Sequence, residues 1–199
     1  MSVVALATAA AWASIEAEAD ILVTVQDDTT LGTLLAYSGT LDVSGLGPAL
    51  VFSSTPGISP VSAIVTFGSG SQLYDFYILA SAPRSFGTGF GNINVNDFMG
   101  NPFSLDQGPD IALVGVPTGF SSGELSGSMR FRPSIATLGM TLGIFEWTTD
   151  DGQTITMAIG DEAIAEASGV GAIPLPGTLP LLLAGIAGLG FVLRQNRTG

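Results

Sequence analysis

The feature that most constrains the fold of this chain is a regular alternation of apolar and polar residues in several short stretches. The sequence LSGSMRF at 125–131 places leucine, methionine and phenylalanine on alternate positions, with serine and arginine between them. The stretches 37–43 and 155–159 show the same pattern. Because successive side chains of a β-strand point to opposite faces, this period of two predicts strands with one buried face.

More strands are expected where apolar runs are bounded by glycine, proline, asparagine or aspartate. These runs are 21–25, 61–67, 73–79, 111–116 and 144–148. The Asp150-Asp151-Gly152 turn before 153–159 predicts a closing β-hairpin. About eight strands within residues 20–160 predict an all-β ectodomain, an antiparallel, jelly-roll-like β-sandwich. The aromatic residues expected in its core include Tyr74, Phe76, Tyr77, Phe86, Phe90 and Trp147.

Charge and the missing residue types narrow the function. The chain has 17 acidic and 5 basic residues, a net charge of −12, and every basic residue is arginine. Because phosphate binding requires a basic patch, this composition excludes nucleic acid as a partner. The absence of histidine, cysteine and lysine excludes Ser-His-Asp triads, thiolate or imidazole metal sites and Schiff-base chemistry. We therefore predict a protein that is not an enzyme and has no cofactor.

Carboxylates are the remaining side chains that could catalyse a reaction or bind a metal ion. A glycosidase needs two facing carboxyl groups, but most acids here stand in expected turns, where aspartate caps its own backbone. Those acids are Asp27, Asp28, Asp106, Asp110, Asp150 and Asp151. Calcium is the better alternative, because its ligands are carboxylate and amide oxygens. The candidate calcium ligands are Asn92, Asn94, Asn96 and Asp97, with Asp150 and Asp151 as a second group. The simpler interpretation is a polar strand face and a hairpin turn.

The N-terminal residues 1–19 predict a signal peptide. An apolar, alanine-rich stretch at 3–13 is followed by Ala17-Glu18-Ala19 before Asp20. Small residues at these positions after an apolar region match a signal-peptidase site between Ala19 and Asp20. No basic residue precedes the apolar stretch, so either the true start lies upstream or the segment is an amphipathic alanine helix.

The C-terminal residues 173–199 predict a membrane segment. No ionisable side chain occurs from Gly169 to Leu193, and Pro180 can open a helix at about 179–193 because its missing N–H is not needed there. A buried core helix is the alternative interpretation of so short an apolar run. The arginines on its far side favour a span with a cytoplasmic end. The helix residues are Pro180, Leu181, Leu182, Leu183, Gly185, Gly188, Phe191 and Leu193, and the basic end is Arg194 and Arg197.

The order of these tail elements resembles a known sorting signal. The segment Ile173-Pro174-Leu175-Pro176-Gly177, the apolar helix and the arginine end are similar to the Val-Pro-Leu-Pro-Ala variant of the PEP-CTERM domain. The resemblance implies recognition by an exosortase, a membrane-embedded transpeptidase of Gram-negative bacteria that make exopolysaccharide. Ile173 and Gly177 depart from the valine and alanine of that motif.

Together these features predict an exported protein, anchored in the inner membrane before processing and then placed at the cell surface or outside the cell. An acidic linker at 161–172, or a short helix there, would join the β domain to the tail. The expected partners are the membrane, an exosortase and exopolysaccharide. The alternative function is a glycan- or calcium-binding adhesive module.

Overall fold

A computed structural model describes residues 20–28, 32–89, 95, 97–108 and 110–169. Within these residues the chain is mostly β, as predicted. The strands are β1 (Ile21–Asp28), β2 (Gly32–Asp42), β3 (Leu50–Ser54), β4 (Gly57–Ser59), β5 (Ile64–Phe67), β6 (Gln72–Ser81), β7 (Asp97–Gly100), β8 (Phe103–Gln107), β9 (Ala112–Pro117), β10 (Ser122–Phe131), β11 (Gly143–Thr149) and β12 (Thr154–Ile159). A 3-10 helix (Pro60–Ser62) precedes β5, and the helix α1 (Asp161–Ala167) follows β12.

The strands form one curled, open sheet. Its order is β4-β5-β8-β9-β6-β11-β12-β1-β2-β10-β7, and β3 pairs with β6 off this path. We call β11, β12, β1, β2, β10 and β7 the β1–β2 arm, and β3, β4, β5, β6, β8 and β9 the β6–β9 arm. The arms join where the end of β6 pairs with the end of β11.

All eight strand predictions fall on strands, with one boundary shifted. The stretch 61–67 begins as the 3-10 helix, and β5 starts only at Ile64. Proline at residue 60 favours this start, because its ring fixes φ near the helical value and it cannot donate to a sheet ladder. The closing hairpin is also confirmed, since β11 and β12 pair antiparallel and Gly152 takes a φ of +90°.

The prediction of a purely antiparallel sheet is wrong at one place. The strands β1 and β12 pair in parallel, with Ile21 opposite Ile155 and Val25 opposite Ile159. Parallel neighbours need a long connection, and here the whole chain between residues 28 and 154 supplies it. The first and last strands therefore lie side by side in the middle of the sheet.

The curl of the sheet brings the inner faces of the two arms together. Tyr37 on β2 contacts the ring of Phe67 on β5 at a centroid distance of 4.6 Å and that of Phe103 on β8 at 4.9 Å. Neither β5 nor β8 is hydrogen-bonded to β2, so these contacts cross the core. One cluster of buried side chains includes both arms, and Trp147 is fully buried within it.

A second, smaller apolar cluster lies on the other face of the β6–β9 arm. Tyr74 and Phe76 on β6 are fully buried there beside Leu113. The ring of Phe52 on β3 stacks on Phe76 at 3.9 Å. A Cβ atom at Gly115 would lie 2.6 Å from the Phe76 ring, so a larger residue at this position would force the ring to shift. The cluster anchors β3 to the sheet.

The predicted aromatic core and the predicted linker have mixed outcomes. Tyr74, Phe76, Phe86 and Trp147 are buried, Tyr77 is half-buried, and Phe90 lies outside the described residues. The stretch predicted as an acidic linker begins with α1, the short helix that the sequence left open. Its Ala163 is buried, so the helix packs on the sheet rather than extending away from it.

Candidate functional site

The turn between β11 and β12 holds two of the predicted calcium ligands. The Asp151 carboxylate accepts a hydrogen bond from Thr149 Oγ1 at 2.5 Å and another from Gln153 Nε2 at 2.8 Å. The hydrogen bond from Thr149, followed by that from Gln153, lowers the pKa of Asp151. Each of its two oxygens therefore has a donor within the turn. This geometry is that of an aspartate that stabilises its own hairpin.

Gln153 also ties this turn to the end of β2. Its side chain accepts a hydrogen bond from Asp42 N at 2.7 Å and donates one to Asp42 O at 2.6 Å. The Asp42 carboxylate in turn accepts from Ser44 N at 2.9 Å, and hydrogen bonding to Ser44 lowers the pKa of Asp42. Asp151 lies close enough to oppose that shift by charge repulsion. The result is a pair of exposed carboxylates at one end of the β1–β2 arm.

Of the other predicted calcium ligands, only Asp97 lies within the described residues. Asn92, Asn94 and Asn96 lie outside the described residues, and Asp97 is the exposed first residue of β7, opposite Arg130 in the register. In the part of the chain that the structure describes, no three acidic side chains are grouped as a metal site requires. Calcium binding at either group therefore stays a prediction.

A cleft of about 770 Å³ lies where the β6–β9 arm joins the β1–β2 arm, at the end of β6. The end of β6, the turn between β8 and β9, and the segment after β6 form its walls. Arg84 and Asp110 are charged groups on the wall, and Ile78 is an exposed apolar one. Gln107 lies beside them, and its Nε2 donates to Gly108 O at 3.0 Å.

Both polar and apolar residues line this cleft. The Oε1 atom of Gln107 is buried and has no hydrogen-bond partner among the described residues. At Asp106, the residue before Gln107, burial raises the pKa of the carboxyl group. A guanidinium, a carboxylate and an apolar wall together suit a ligand with many hydroxyl groups, because such a ligand needs both donors and acceptors.

The remaining candidate carboxylates of the sequence are engaged structurally. Asp27 Oδ1 accepts from Ile135 N at 2.7 Å and from Thr33 Oγ1 at 3.2 Å. Asp28 forms an ion pair with Arg130, with Oδ2 and Nη1 2.6 Å apart. Both acids end β1, where they tie the strand to β10 and to the segment after it. These contacts explain the two carboxylates without a catalytic role.

The residues predicted to direct export lie mostly outside the described part of the chain. This holds for Ala17 and Ala19 of the signal site, for the sorting motif 173–177, for the membrane helix at about 179–193 and for the two terminal arginines. Among the described residues, no helix is long and apolar enough to cross a membrane. Asp20, at the predicted cleavage site, is described, and its carboxylate accepts from Thr154 N at 2.7 Å.

Comparisons of the chain with known protein families, with curated proteins and with solved structures give no match.

Sequence reasoning missed the cleft and the role of Gln153. The cleft residues are far apart in the sequence, and only the pairing of β6 with β9 brings Ile78 near Gln107. The sequence indicated the role of Gln153 only weakly. A long amide side chain directly after an Asp-Gly turn can reach a neighbouring strand. Nothing in the sequence indicated that this neighbour would be the end of β2.

Proposed function

We propose that this chain is an exported, non-enzymatic protein of the cell surface or exopolysaccharide matrix, sorted by an exosortase through its C-terminal tail. The observation that carries the proposal is the order of elements after residue 172. A proline motif comes first, an uncharged apolar run follows, and two arginines end it. The chain would be held in the inner membrane with its β domain outside the cytoplasm until the tail is removed.

The chemistry of the tail supports this order of events. Proline cannot donate a helical hydrogen bond, so under this proposal Pro174 and Pro176 would keep the motif extended at the outer edge of the bilayer. Pro180 would then begin the membrane helix, with Arg194 and Arg197 on the cytoplasmic side. A membrane-embedded enzyme would reach the extended motif more easily than a helical one.

The β domain suits a role that needs no tail in its core. The described core residues lie between Ile21 and Ala163 and come from both arms of the sheet. We propose that the two facing arms act as the layers of a jelly-roll-like sandwich, with Tyr37 packed against the opposite layer. Such a domain would remain folded and soluble after the tail is cut.

The direct test is to express the full chain in a Gram-negative strain that encodes an exosortase and in the same strain without that gene. Intact mass measurement of the envelope and medium fractions would show loss of the tail only in the first strain. The exosortase-deficient strain should retain the full-length chain in its inner membrane. Equal masses in the two strains would refute the sorting proposal.

A matched pair of variants sharpens the test. Substitution of Pro174 and Pro176 by alanine should block processing, because the motif can then continue as helix. The same double substitution at Pro48 and Pro56, which lie in the β domain, should leave removal of the tail unchanged. Recovery of the full-length chain without detergent, as a monomer, would contradict the membrane anchor itself.

The cleft with Arg84 favours a second candidate, an adhesive module that binds neutral glycans. Its mixed wall of charged, amide and apolar groups fits sugar hydroxyls and ring faces. Binding to a glycan array should weaken in Arg84→Gln, whereas Arg132→Gln removes another exposed arginine, outside the cleft, and should not change it. Absence of array binding by the folded wild-type protein would remove this candidate.

Calcium is the other ligand of that adhesive alternative. If Asp150 and Asp151 bind it, millimolar calcium should raise the melting temperature relative to a chelator, because a ligand of the folded state stabilises by mass action. Asp151→Asn should abolish that difference. Melting curves that coincide with calcium and with chelator would leave the turn a purely structural element.

A further inference from the structure

The strand β3 is an apolar edge of the sheet. In the described part of the chain it pairs only with β6, so its other side presents backbone groups without a strand partner. Leu50, Val51 and Phe52 are 45%, 60% and 38% exposed, and Leu73 on the adjacent strand is 61% exposed. Unpaired backbone groups flanked by apolar side chains are a template for pairing with a further strand.

Devices that usually protect an edge strand are absent from β3. The strand contains no charged residue and no proline, and its five residues pair with β6 without a bulge. The strand β7, at one end of the sheet path, shows the contrast. It has four residues, begins with the exposed Asp97 and ends at Gly100 with a φ of +105°. A neighbouring chain would meet a charge at β7 but not at β3.

Charge identifies the kind of partner that fits. The sequence has no aspartate, glutamate, lysine or arginine between Asp42 and Asp75, although the whole chain carries a net charge of −12. Asp75, opposite Val51, is buried and its Oδ2 accepts from Gly119 N at 2.8 Å. A partner edge with charges would lose their hydration without gaining an ion pair. A second β3 brings none, so two copies that meet through β3 place no charged side chain of that strand against the other copy.

We propose that β3 pairs antiparallel with β3 of a second copy of this chain, so that the two sheets continue across a two-fold axis. Such an axis through the middle of the strand makes the interface self-complementary, with the same residues on both sides. The backbone of each edge then gains a ladder of hydrogen bonds, and Leu50, Val51 and Phe52 lose exposure to water. The proposal rests on the β domain alone and holds whether or not the chain is exported.

Sedimentation of the full chain in a mild detergent tests the proposal. The interface is small, so we expect the mass to rise from one chain toward two between about 1 and 100 µM. Val51→Lys should weaken the dimer at least about tenfold, because each interface would then crowd two ammonium groups against apolar neighbours. The matched control is Met99→Lys, which adds the same charge at a 72% exposed position of the edge strand β7.

The outcomes separate β3 from other contacts. The proposal is supported if the wild type and Met99→Lys both form dimers and Val51→Lys does not. A monomer at every concentration overturns it, and so does a dimer that Val51→Lys retains, because the contact then lies elsewhere, for example in the apolar tail. Melting curves of both variants verify that they fold.

A second measurement does not depend on a disruptive substitution. The chain has no cysteine, so Ser53→Cys introduces a single thiol beside the proposed axis. A short bis-maleimide crosslinker, which can span two diagonal positions on neighbouring strands, should link this variant into dimers, whereas Met99→Cys should stay largely unlinked. Equal crosslinking of the two variants at the same protein concentration would refute pairing through β3.

Discussion

The side-chain interactions inside the β1–β2 arm differ in kind from those inside the β6–β9 arm. In the β1–β2 arm, carboxylates make many of the side-chain hydrogen bonds. Asp28 pairs with Arg130, and Asp151 accepts a hydrogen bond from Gln153, whose amide also binds the end of β2. In the β6–β9 arm, a row of hydroxyl groups crosses three strands. Thr66 Oγ1 lies 2.8 Å from Ser104 Oγ and 3.3 Å from Ser54 Oγ.

This difference shows that one continuous sheet can respond unevenly to its surroundings. Exposed carboxylate ties depend on pH and are screened by salt. Buried hydroxyl pairs and stacked rings depend on the fit of neighbouring side chains. We therefore expect the β6–β9 arm to be sensitive to side-chain volume and the β1–β2 arm to be sensitive to pH.

The largest effect should come from the core that the arms share. Phe103→Ala removes a fully buried ring that stacks on Tyr37, and it should cost about 3–5 kcal/mol of unfolding free energy. Met157→Ala, in the other arm, should cost about 2–5 kcal/mol. Because one core includes both arms, each variant should shift a single denaturant transition measured by fluorescence and circular dichroism.

The control for both core variants is Leu142→Ala, at a position that is 68% exposed and should change stability by less than about 0.5 kcal/mol. Two separate transitions in either core variant would mean that the arms unfold independently. The comparison of arms would then become a comparison of two folding units.

A smaller loss should follow from added volume in the β6–β9 arm. Gly115→Ala places a Cβ within 2.6 Å of the Phe76 ring and should destabilise by about 1–3 kcal/mol. Gly47→Ala is the matched control, since no atom lies within 4 Å of the new Cβ. Equal melting temperatures for the two variants would show that Phe76 and Phe52 shift without cost.

The hydroxyl row should contribute less again. Thr66→Val keeps the shape of a fully buried side chain but leaves the Ser104 hydroxyl with only a long bond to Val65 O, 3.4 Å away. We expect a loss of about 1 kcal/mol in denaturant unfolding. Thr118→Val removes an exposed hydroxyl and should have less than half that effect. A neutral Thr66→Val would mean that the row contributes nothing to the arm.

The smallest predicted effects are the contributions of Asp151 and Asp106 to the pH dependence of stability, and they have opposite signs. Hydrogen bonds lower the pKa of Asp151, so its contribution to stability is present above its ordinary pKa of 3.8 and is lost as the pH falls through the lower folded value. Burial raises the pKa of Asp106, so its ionised form costs stability at neutral pH, and that cost disappears below 3.8.

Accordingly, at pH 7 we expect Asp151→Asn to be less stable than the wild type and Asp106→Asn to be more stable. Each change in the free energy of unfolding should be less than about 1 kcal/mol. At pH 3 the Asp106→Asn difference should vanish and the Asp151→Asn difference should shrink. Melting curves at the two pH values measure both effects. A shift of the same sign for both variants at pH 7 would contradict the assignment.

The same two arms differ in how far their strands could be predicted. In the β1–β2 arm, β2 and β10 have 11 and 10 residues, long enough for the alternation to stand out. In the β6–β9 arm, β4 has three residues, too few to show a period, and β3 is exposed along most of its length and has no buried face. Their strand form depends on β5 and β6 beside them, and a partner distant in sequence leaves no local pattern.

The site residues divide in a similar way. The Asp150-Asp151-Gly152 turn was predictable because its chemistry is local to three residues. The cleft was not, since it depends on how the β8–β9 turn meets the end of β6. The parallel pairing of β1 with β12 was also out of reach, because alternation indicates that a strand has a buried face but not the direction of its neighbour.

That parallel pair has a consequence for the order in which the domain can fold. The central ladder joins residues 21–25 to residues 155–159, so it cannot form until almost the whole domain has been made. Pairing across so long a loop is slow, and sheets rich in such contacts typically fold in milliseconds to seconds. The strand β1 can pair early with β2, which follows it directly in the chain, but it gains β12 as its second neighbour only at the end.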